Sequence, residues 1–443
     1  MFSYDGRINK DSRLLMPWMG GAFSYLYTTP EDELLACRST AWLGSFLNCS
    51  PVYDISGPDV VKLLNYVTVN RDYAKLKIGG SRHAILCNDK GQMLADGVLM
   101  RKDEQTYRTY WLAPVLAYYV DSLGMDVHGE WVLNEFFFQI DGPKSLEIME
   151  KASQCDLHDL KFAQNKHITI AGIETSIHRL GMSGCLAYEM HGDINDAETV
   201  FSAIVEAGEE FGIRKLGFEQ YCHNHTQGGY PNQWIHFWYP WHSGNKAMSD
   251  YIKACPYSYD GFNIYPYLGS ASYDPENSFV TPFDVDWDYL ISYDHDFIGK
   301  EALLAISKNP PRKVVTLEWN ADDVAQVFAS QFRGNGVEPT DNIIGDGDCS
   351  LDGFVISKVL AEGKMIGVAS GRLHDYYHRR MISLGFISRE YALEGKELTV
   401  VWGTKPEAQM EIRATVAQFP YYNEEYRNET FDVEKIPHPV FSK

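Results

Sequence analysis

Two stretches of the chain follow the same pattern, VYDISGPDVVKLLNYV at residues 52–67 and FFQIDGPKSLEIMEKA at residues 137–152. In each stretch an apolar run leads into a Gly-Pro pair, Gly57-Pro58 or Gly142-Pro143, and apolar residues at helical spacing follow. Glycine and proline mark turns, and an apolar residue at every third or fourth position indicates a helix with one buried face. The chain therefore contains an internal repeat of strand, turn and helix.

A β-hairpin is predicted between the two copies of the repeat. Residues 83–87 and 93–101 have the composition of strands, and residues 88–91 (NDKG) have that of a tight turn. Asp96 lies among apolar neighbours in the second strand, where a carboxylate is costly unless it is paired or functional. A functional carboxylate and an exposed side chain near the turn are both consistent with this position.

After the second copy, strands and helices continue to alternate. Two strands are predicted around Gly172, and residues 195–212 have the acidic first turn, apolar face and terminal glycine of an amphipathic helix. Glu189 stands between Tyr188 and Met190, so it is either functional or an outward-facing strand residue. Strands that alternate with helices in duplicated halves predict an α+β fold with ferredoxin-like pieces.

The two ends of the chain differ from this pattern. Residues 31–43 begin with acidic residues and predict a helix. Asn309-Pro310-Pro311 favours a linker, because neither proline nor its preceding residue continues a helix easily. After this linker, short strands with glycine turns and one helix at residues 320–330 predict a small β-barrel domain.

Length, composition and charge exclude several classes of protein. At 443 residues the chain is too long for one core, and 45% hydrophobic with 22% charged residues is typical of a globular protein. A net charge of −21 argues against nucleic acid and anionic membrane as partners. The sequence has no run of 18 apolar residues and no apolar leader, which predicts a cytoplasmic protein. The eight cysteines have no C-x-x-C spacing, so neither a zinc ribbon nor a redox dithiol is supported.

Residues 216–242 (LGFEQYCHNHTQGGYPNQWIHFWYPWH) combine many aromatic rings with polar groups and turn residues. The stretch follows neither a helical nor a strand period cleanly. Such a composition favours the lining of a pocket for a flat ligand, although an aromatic loop that closes a core is the alternative. His223 and His225 would point the same way only on a strand, and no carboxylate follows at ligand spacing, so we predict no metal site.

A series of longer motifs, taken in chain order, carries a resemblance to a known family. The series consists of KGQMLADGVL (90–99), FQIDGPKSLEIMEK (138–151), HRLGMSGCLAYEM (178–190), EAGEEFGIRKLG (206–217), YDHDFIGKEAL (293–303), KVVTLEWNADDVAQVFAS (313–330) and IRATVAQFPYY (412–422). These motifs resemble the glycine-cleavage T-protein (aminomethyltransferase) family. Within that family they are most similar to the tetrahydrofolate-dependent aromatic O-demethylases that act on vanillate-type and syringate-type methyl ethers.

The resemblance implies a three-lobed cloverleaf around a central folate site, with a C-terminal β-barrel domain. We predict that the first, folate-binding domain is discontinuous and comprises residues 1–60 and 130–245. The second comprises residues 61–129 and 246–308, and the C-terminal barrel comprises residues 312–443. The family uses tetrahydrofolate, which is therefore the predicted cofactor.

The resemblance also implies roles for individual residues. Asp96 takes the position of the family's Asp near the reactive folate nitrogens, and Glu189 that of the Glu that binds the pterin ring. A buried carboxylate suits the pterin because it can accept two N–H bonds from the flat 2-amino-pyrimidinone. Gln139 matches a pterin-side Gln of the O-demethylases, and Tyr221 matches a Tyr near their transferred methyl group.

Other positions depart from the family pattern. Glu219 stands where the family has an Arg, Gln227 replaces a second pterin-site Glu but can still form hydrogen bonds, and Tyr230 replaces a Trp. Asp96, Gln139, Glu189, Gln227 and Tyr230 are the predicted cofactor-binding residues. The substrate-side positions that carry a His pair and an Arg in vanillate-type enzymes read Asn48, Cys49 and Leu112. An Arg would pair with an aromatic carboxylate, so its absence argues against a benzoate donor.

The resulting prediction is transfer of a methyl group from an aryl methyl ether to N5 of tetrahydrofolate, which yields a phenol and 5-methyltetrahydrofolate. The departing oxygen must be protonated or stabilised, for which Tyr221, His223 and His225 are candidates beside Asp96. A sulfonium or N-methyl donor, aminomethyl transfer, and folate binding without turnover are the alternatives. The predicted partner is a small methoxyaromatic or other methyl donor, and the oligomeric state stays open. Residues 233–242 match no family motif and are predicted to determine donor preference.

Overall fold

The computed structural model describes residues 8–18, 21–45, 50–256, 267–343, 353–423 and 425–441. The strands in these ranges are β1 (Leu14–Trp18), β2 (Gly21–Leu26), β3 (Trp42–Gly44), β4 (Val52–Ser56), β5 (Ser81–Cys87), β6 (Met93–Arg101), β7 (Thr106–Tyr110), β8 (His128–Val132), β9 (Glu135–Asp141), β10 (Asn165–Ile170), β11 (Ile173–His178), β12 (Ala187–Asp193), β13 (Arg214–Leu216), β14 (Tyr267–Leu268), β15 (Arg312–Trp319), β16 (Phe354–Ala361), β17 (Lys364–Asp375), β18 (Arg380–Ser388), β19 (Glu397–Trp402) and β20 (Met410–Ala417). The α-helices are α1 (Pro30–Ser39), α2 (Val60–Val67), α3 (Val115–Ser122), α4 (Ser145–Ser153), α5 (Ala197–Gly208), α6 (Phe218–Gly228), α7 (Lys246–Ala254), α8 (Lys300–Ser307) and α9 (Ala321–Ser330). Within the described ranges, no helix has the length and apolar character needed to cross a membrane.

Three large sheets form the frame of the molecule. One has the strand order β10-β11-β12-β9-β3-β13, and a second has the order β5-β6-β7-β4-β8. The third has the order β14-β16-β17-β18-β15-β20-β19, and β16 also pairs with β19, which closes six of its strands into a barrel. The predicted α+β fold with a C-terminal β-barrel is confirmed.

The internal repeat predicted from the sequence has the same backbone conformation in both copies. The turns after β4 and β9 contain Gly57 and Gly142, whose φ angles are +137° and +138°, a region that L side chains rarely adopt. A Cβ on Gly142 would lie 2.3 Å from the Thr40 carbonyl oxygen, and one on Gly57 would lie 2.5 Å from that of Asp126. One copy belongs to the five-stranded sheet and the other to the six-stranded sheet, so the repeat builds the centre of each.

The sheets group the chain differently from the predicted domains at one boundary. The boundary at residue 60 assigned Val52–Ser56 to the first domain, but this strand pairs with β7 on one side and β8 on the other, inside the five-stranded sheet. Trp42–Gly44 does join strands from residues 135–216, as a discontinuous first domain requires. The other domain bounds stay a prediction.

Two local predictions from the sequence differ from the structure. The helix predicted at residues 31–43 ends at Ser39, because Trp42–Gly44 is drawn into the six-stranded sheet as β3. Residues 218–228, which showed no clear period, form α6, and every residue of this helix is buried. Although it is buried, α6 consists mainly of polar residues (FEQYCHNHTQG), so it lacks the apolar stripe by which an amphipathic helix is recognised in a sequence.

Replacement of Gly142 by alanine is expected to lower the free energy of unfolding by about 3 kcal/mol, because the new Cβ meets a backbone oxygen that cannot move aside easily. Gly172→Ala is the matched control, since Gly172 also has a positive φ, +83°, but has open space around it. There we expect a loss of about 1 kcal/mol from backbone strain alone. Urea unfolding of both variants measures the difference, and equal losses would contradict the role given to the Gly142 turn.

Candidate active site

Asp96 lies in the middle of β6 and is held by two side chains. The Tyr239 hydroxyl donates to Asp96 Oδ1 in a short hydrogen bond and accepts the Asp96 backbone N–H at 2.8 Å. His83, on the neighbouring strand β5, approaches Asp96 Oδ2 through Nε2 at 3.0 Å. Both carboxylate oxygens are therefore oriented, and each retains a lone pair for a ligand.

A series of aromatic rings connects this carboxylate with two of the other predicted residues. The His83 ring packs edge-to-face on Trp287 at 4.5 Å and lies 5.6 Å from Tyr230. The Tyr230 ring lies 5.9 Å from that of His225, which packs edge-to-face on Tyr221 at 4.8 Å. These contacts link Asp96 through His83 and Tyr230 to His225 and Tyr221.

Tryptophan side chains border the same strand. Trp111 and Trp234 both have left-handed backbones, with φ angles of +68° and +64°, and their rings lie 6.4 Å apart. A Cβ on Gly97 would lie 3.0 Å from the Trp111 Cβ, so Trp111 packs against β6 at the residue that follows Asp96. Left-handed backbones are strained for bulky residues and occur preferentially at functional sites. Trp241 extends the group, since its indole N–H donates to the Leu94 carbonyl oxygen on β6 at 2.6 Å.

His225 is a neutral side chain whose two ring nitrogens are both engaged. Its Nδ1 lies 3.0 Å from the Tyr230 carbonyl oxygen, which only accepts, so Nδ1 carries the hydrogen. Its Nε2 is then an acceptor and lies 3.3 Å from Asn232 Nδ2. Burial lowers the pKa of His225 to about 4. In this arrangement His225 shapes the site but has no proton to give to a departing oxygen.

His223, one of the predicted residues on α6, lies in a different cavity from the residues around Asp96. His223 lines a cavity of about 730 Å³ against the C-terminal barrel, together with Glu219 and with residues such as Trp319 and Met381. Side chains two residues apart on an α-helix point in directions about 200° apart, so His223 and His225 diverge. His223 therefore does not share the surroundings of His225.

Gln227 is also separated from the Asp96 group. Its amide oxygen accepts from Arg38 at 3.0 Å, and its amide nitrogen donates to Asp375 at 2.7 Å. The Arg38 guanidinium stacks on the Tyr422 ring at 3.3 Å. This network ties α1, α6 and β17 together, and it uses both ends of the amide that was predicted to bind the cofactor.

Glu189, Gln139 and Asp141 form a second polar group on the face of β12 and β9. Glu189 is the register partner of Gln139, whose amide donates to Asp141 Oδ1 at 2.8 Å. Among the described residues, Gln139 Oε1 and Asp141 Oδ2 are buried without a hydrogen-bond partner. Burial, reinforced by the neighbouring Asp141 carboxylate, raises the pKa of Glu189 to about 8, and burial raises that of Asp141 to about 7. Buried acceptors without donors fit a ligand edge rich in N–H groups, as a pterin ring has.

The pKa of the Tyr230 hydroxyl is influenced by carboxylates of both polar groups. Burial, followed by the charges of Asp96 and Glu189 among its neighbours, raises the pKa of the Tyr230 hydroxyl well above its usual value. Both carboxylates therefore act on one tyrosine.

Of the three predicted substrate-side positions, Leu112 is fully buried, whereas Asn48 and Cys49 lie outside the described residues.

Several residues of the site were missed by sequence reasoning. Tyr239 is 143 positions from Asp96 along the chain, and only its place within residues 216–242 suggested a role for it. His83 was assigned to the hairpin strand without a role, although a histidine near a buried Asp in a paired strand is a usable signal. Trp111 and Asp141 carried no signal, because their strained backbone and missing hydrogen-bond partner are visible only in the structure.

With this geometry in hand, comparisons with known proteins define the class. Residues 22–231 match the model of the GCVT N-terminal domain family. The chain is 46% identical over 428 residues to the sesamin methylene transferase of Sinomonas sp. strain No.22, a match that covers 94% of this chain and 93% of that protein. It is 27% identical over 401 residues to the syringate O-demethylase of Sphingobium sp. strain SYK-6, with 83% of each chain covered.

The fold agrees with these relatives. The crystal structure of the glycine cleavage system aminomethyltransferase T from Bartonella henselae superposes with a TM-score of 0.67 at 18% identity, and it covers 95% of this chain and 97% of that one. The chain belongs to the glycine-cleavage T-protein (aminomethyltransferase) family, whose members depend on tetrahydrofolate. It is an enzyme, a methyltransferase of this tetrahydrofolate-dependent class.

The raised pKa of Glu189 predicts how stability depends on pH. A carboxyl whose pKa is raised on folding binds its proton more tightly in the folded state, so stability is lost as the pH rises from the unfolded pKa, near 4.3, towards about 8. Glu189→Gln removes this titration. Between pH 5 and pH 8 the wild-type protein is expected to lose on the order of 3 kcal/mol more stability than the variant.

Denaturant unfolding at the two pH values measures this difference. Glu174→Gln on the neighbouring strand β11 is the matched control, since its side chain is 82% exposed, and it is expected to keep the wild-type pH dependence. If Glu189→Gln loses as much stability as the wild type over this range, Glu189 is not the buried, protonated group described above.

Proposed function

We propose that this enzyme transfers the bridging or methyl carbon of an aryl ether to tetrahydrofolate, with methylenedioxyphenyl compounds as its main donors and methoxyaromatic compounds as the second class. The observation that carries the proposal is the oriented Asp96 carboxylate, whose partner His83 packs among the aromatic rings of Trp287 and Tyr230. The 46% identity to a sesamin methylene transferase supports the first donor class, because sesamin carries methylenedioxy bridges. The likeness to a syringate O-demethylase supports the second.

Buried hydrogen-bond acceptors support the proposed binding of tetrahydrofolate. Tetrahydrofolate supplies the amine nitrogens that take up the carbon. Glu189, Gln139 Oε1 and Asp141 Oδ2 offer acceptors for the N–H groups of the pterin ring, and Gln139 and Asp141 lack other partners for these atoms among the described residues. Tyr230, near both Glu189 and Asp96, is suited to pack against the flat ring.

Apolar and aromatic side chains support the proposed aryl ether donor. Leu112 occupies a position where vanillate-type enzymes have a side chain for the donor, and it offers no charge to a carboxylate. Indole rings such as those of Trp111, Trp234 and Trp241 bind the faces and edges of other aromatic rings. A neutral aryl ether therefore suits the site better than a benzoate.

Each C–O cleavage requires one proton to leave the attacking nitrogen and one to reach the departing oxygen. For a methylenedioxy donor, both C–O bonds of the bridge break, two C–N bonds form, and the two amine protons end on the catechol oxygens. With a methyl ether, one C–O bond breaks, one C–N bond forms, and one amine proton ends on the phenol oxygen. Neither reaction needs an oxidant or a reductant. Asp96 accepts a proton from the attacking nitrogen, and the Tyr221 hydroxyl donates one to the departing phenolate oxygen. Tyr239 and His83 keep the Asp96 carboxylate turned towards the ligand.

A donor panel tests the proposed reaction. The enzyme is incubated with tetrahydrofolate and with a methylenedioxybenzene, a neutral methoxyphenol, a methoxybenzoate, a sulfonium compound or an N-methyl amine, and the folate products are separated by chromatography. We expect 5,10-methylenetetrahydrofolate and catechol from the first donor, slower 5-methyltetrahydrofolate formation from the second, and the least product from the benzoate. Turnover with only the sulfonium or amine donors would contradict the proposal, and binding of folate without any product would indicate a non-catalytic module.

Tyr221→Phe tests the proton donor. The variant keeps the ring that packs on His225 but removes the hydroxyl, so kcat is expected to fall about 10²-fold while the KM for tetrahydrofolate changes little. Tyr289→Phe is the matched control, because the Tyr289 side chain is 76% exposed. Steady-state rates with a methylenedioxybenzene donor give the comparison. A wild-type kcat in Tyr221→Phe would remove Tyr221 from the proton transfer.

A further inference from the structure

Two buried histidines lie beside Glu189. His178 on β11 is the register partner of Glu189, and His191 follows Glu189 by two residues on β12 and so shares its face. One ring nitrogen of each histidine and one carboxylate oxygen of Glu189 lie within 4.8 Å of one another. His178 is 0% exposed and His191 is 3% exposed, so water has little access to these groups.

The hydrogen bonding of His191 fixes its tautomer. His191 Nδ1 lies 3.1 Å from Glu135 Oε1, and Glu135 also binds Arg108 and accepts from the Tyr110 hydroxyl at 3.0 Å. Burial alone would raise the pKa of Glu135, but the bonds and charges of His191 and Arg108 outweigh it and hold this pKa below its usual value. Glu135 is therefore an ionised acceptor, and His191 Nδ1 carries the hydrogen.

His191 Nε2 is consequently a lone-pair acceptor. Among the described residues this atom is buried without a hydrogen-bond partner, as is His178 Nδ1. Burial lowers the pKa values of both rings, which keeps them neutral. The His191 ring is held in place by Phe137 at 4.2 Å, Tyr110 at 4.7 Å and His178 at 4.7 Å. A fixed acceptor of this kind needs a donor from a ligand, because an unpaired buried polar atom is destabilising.

The chemistry of the pterin edge supplies such a donor. The 2-amino group and N3 of a pterin carry three N–H bonds, whereas one carboxylate facing this edge accepts two of them side by side. Donation of these two N–H bonds favours the ionised form, so pterin binding lowers the pKa of Glu189 that burial alone raises. The third N–H, on the amino group, points to the side of the carboxylate. His191 Nε2 is an acceptor beside the Glu189 carboxylate.

We propose that His191 is a second pterin-binding residue, which accepts the remaining 2-amino hydrogen at Nε2, and that His178 is a positioning residue for its ring. The inference deepens the proposed function and depends on it, because the ligand is the pterin ring of tetrahydrofolate. It assigns recognition of the 2-amino group to a pair of side chains, Glu189 and His191. Neither the buried His178 nor the buried His191 has a part in the proton movements described above.

A double-mutant cycle between protein and ligand tests the inference. Binding of tetrahydrofolate and of its 2-desamino-2-methyl analogue is measured by calorimetry for the full-length wild type and His191→Phe, whose ring preserves the packing against Phe137. We expect His191→Phe to weaken tetrahydrofolate binding about 10-fold and binding of the analogue less than about 2-fold, since the analogue has no amino hydrogen to lose. His167→Phe, at a side chain that is 68% exposed on β10, is expected to bind both ligands as the wild type does.

A second variant distinguishes loss of the hydrogen-bond acceptor from misfolding of the protein. His191→Gln keeps an acceptor at the far end of the side chain and is expected to retain the wild-type preference for the 2-amino ligand. If His191→Phe weakens the binding of both ligands equally, His191 does not accept the 2-amino hydrogen. The proposal that the wild-type protein binds tetrahydrofolate would still stand. Failure of the wild type to bind tetrahydrofolate would overturn the proposed function and this inference together. One zinc ion per chain in the purified protein, lost in His191→Phe, would overturn the inference in favour of a metal held by His178, Glu189 and His191.

Discussion

The Arg108 guanidinium bridges two carboxylates and thereby holds the two duplicated sheets together. Arg108, on β7, donates to both Asp54 oxygens on β4 at 2.7 and 2.8 Å, and it also binds Glu135 at the start of β9. Largely buried charges are costly unless they are paired, so the carboxylate of each sheet depends on the guanidinium between them. Since β7 neighbours β6 and β9 neighbours β12, this bridge fixes the strand of Asp96 relative to the strand of Glu189.

The surroundings of Asp96 are the physical reason for proposing a neutral donor. His83 and Tyr239, which hold the carboxylate, pack in turn against other aromatic rings, such as Trp287 beside His83 and Trp241 beside Tyr239. Low polarity strengthens each remaining electrostatic interaction and makes entry of a second carboxylate costly. An aryl ether carries no charge until its C–O bond begins to break, so the charge appears only where a proton donor can meet it.

Sequence reasoning succeeded where local periodicity decides the structure and failed where distant contacts do. The Gly-Pro repeat, the hairpin that carries Asp96 and the C-terminal barrel were confirmed, because their turns and apolar alternation are local. Helix α6 was not recognised, since its residues are mainly polar although buried and form no apolar stripe. His223 and His225 were both candidate proton donors, although the helix directs them apart, and the partner of Asp96, Tyr239, could not be found because only folding brings them together. The partners of Gln227 likewise come from α1 and β17.

The central claim is that the carbon of an aryl ether passes to tetrahydrofolate beside Asp96. The most direct measurement is a single turnover, with enzyme in excess over methylenedioxybenzene labelled with ¹³C at the bridge carbon, followed by ¹³C NMR in the presence of tetrahydrofolate. We predict that the bridge resonance disappears as the resonance of the methylene carbon of 5,10-methylenetetrahydrofolate grows, with one catechol released per carbon. A bridge resonance that persists unchanged while the enzyme binds tetrahydrofolate, or release of the label as free formaldehyde, would contradict the claim.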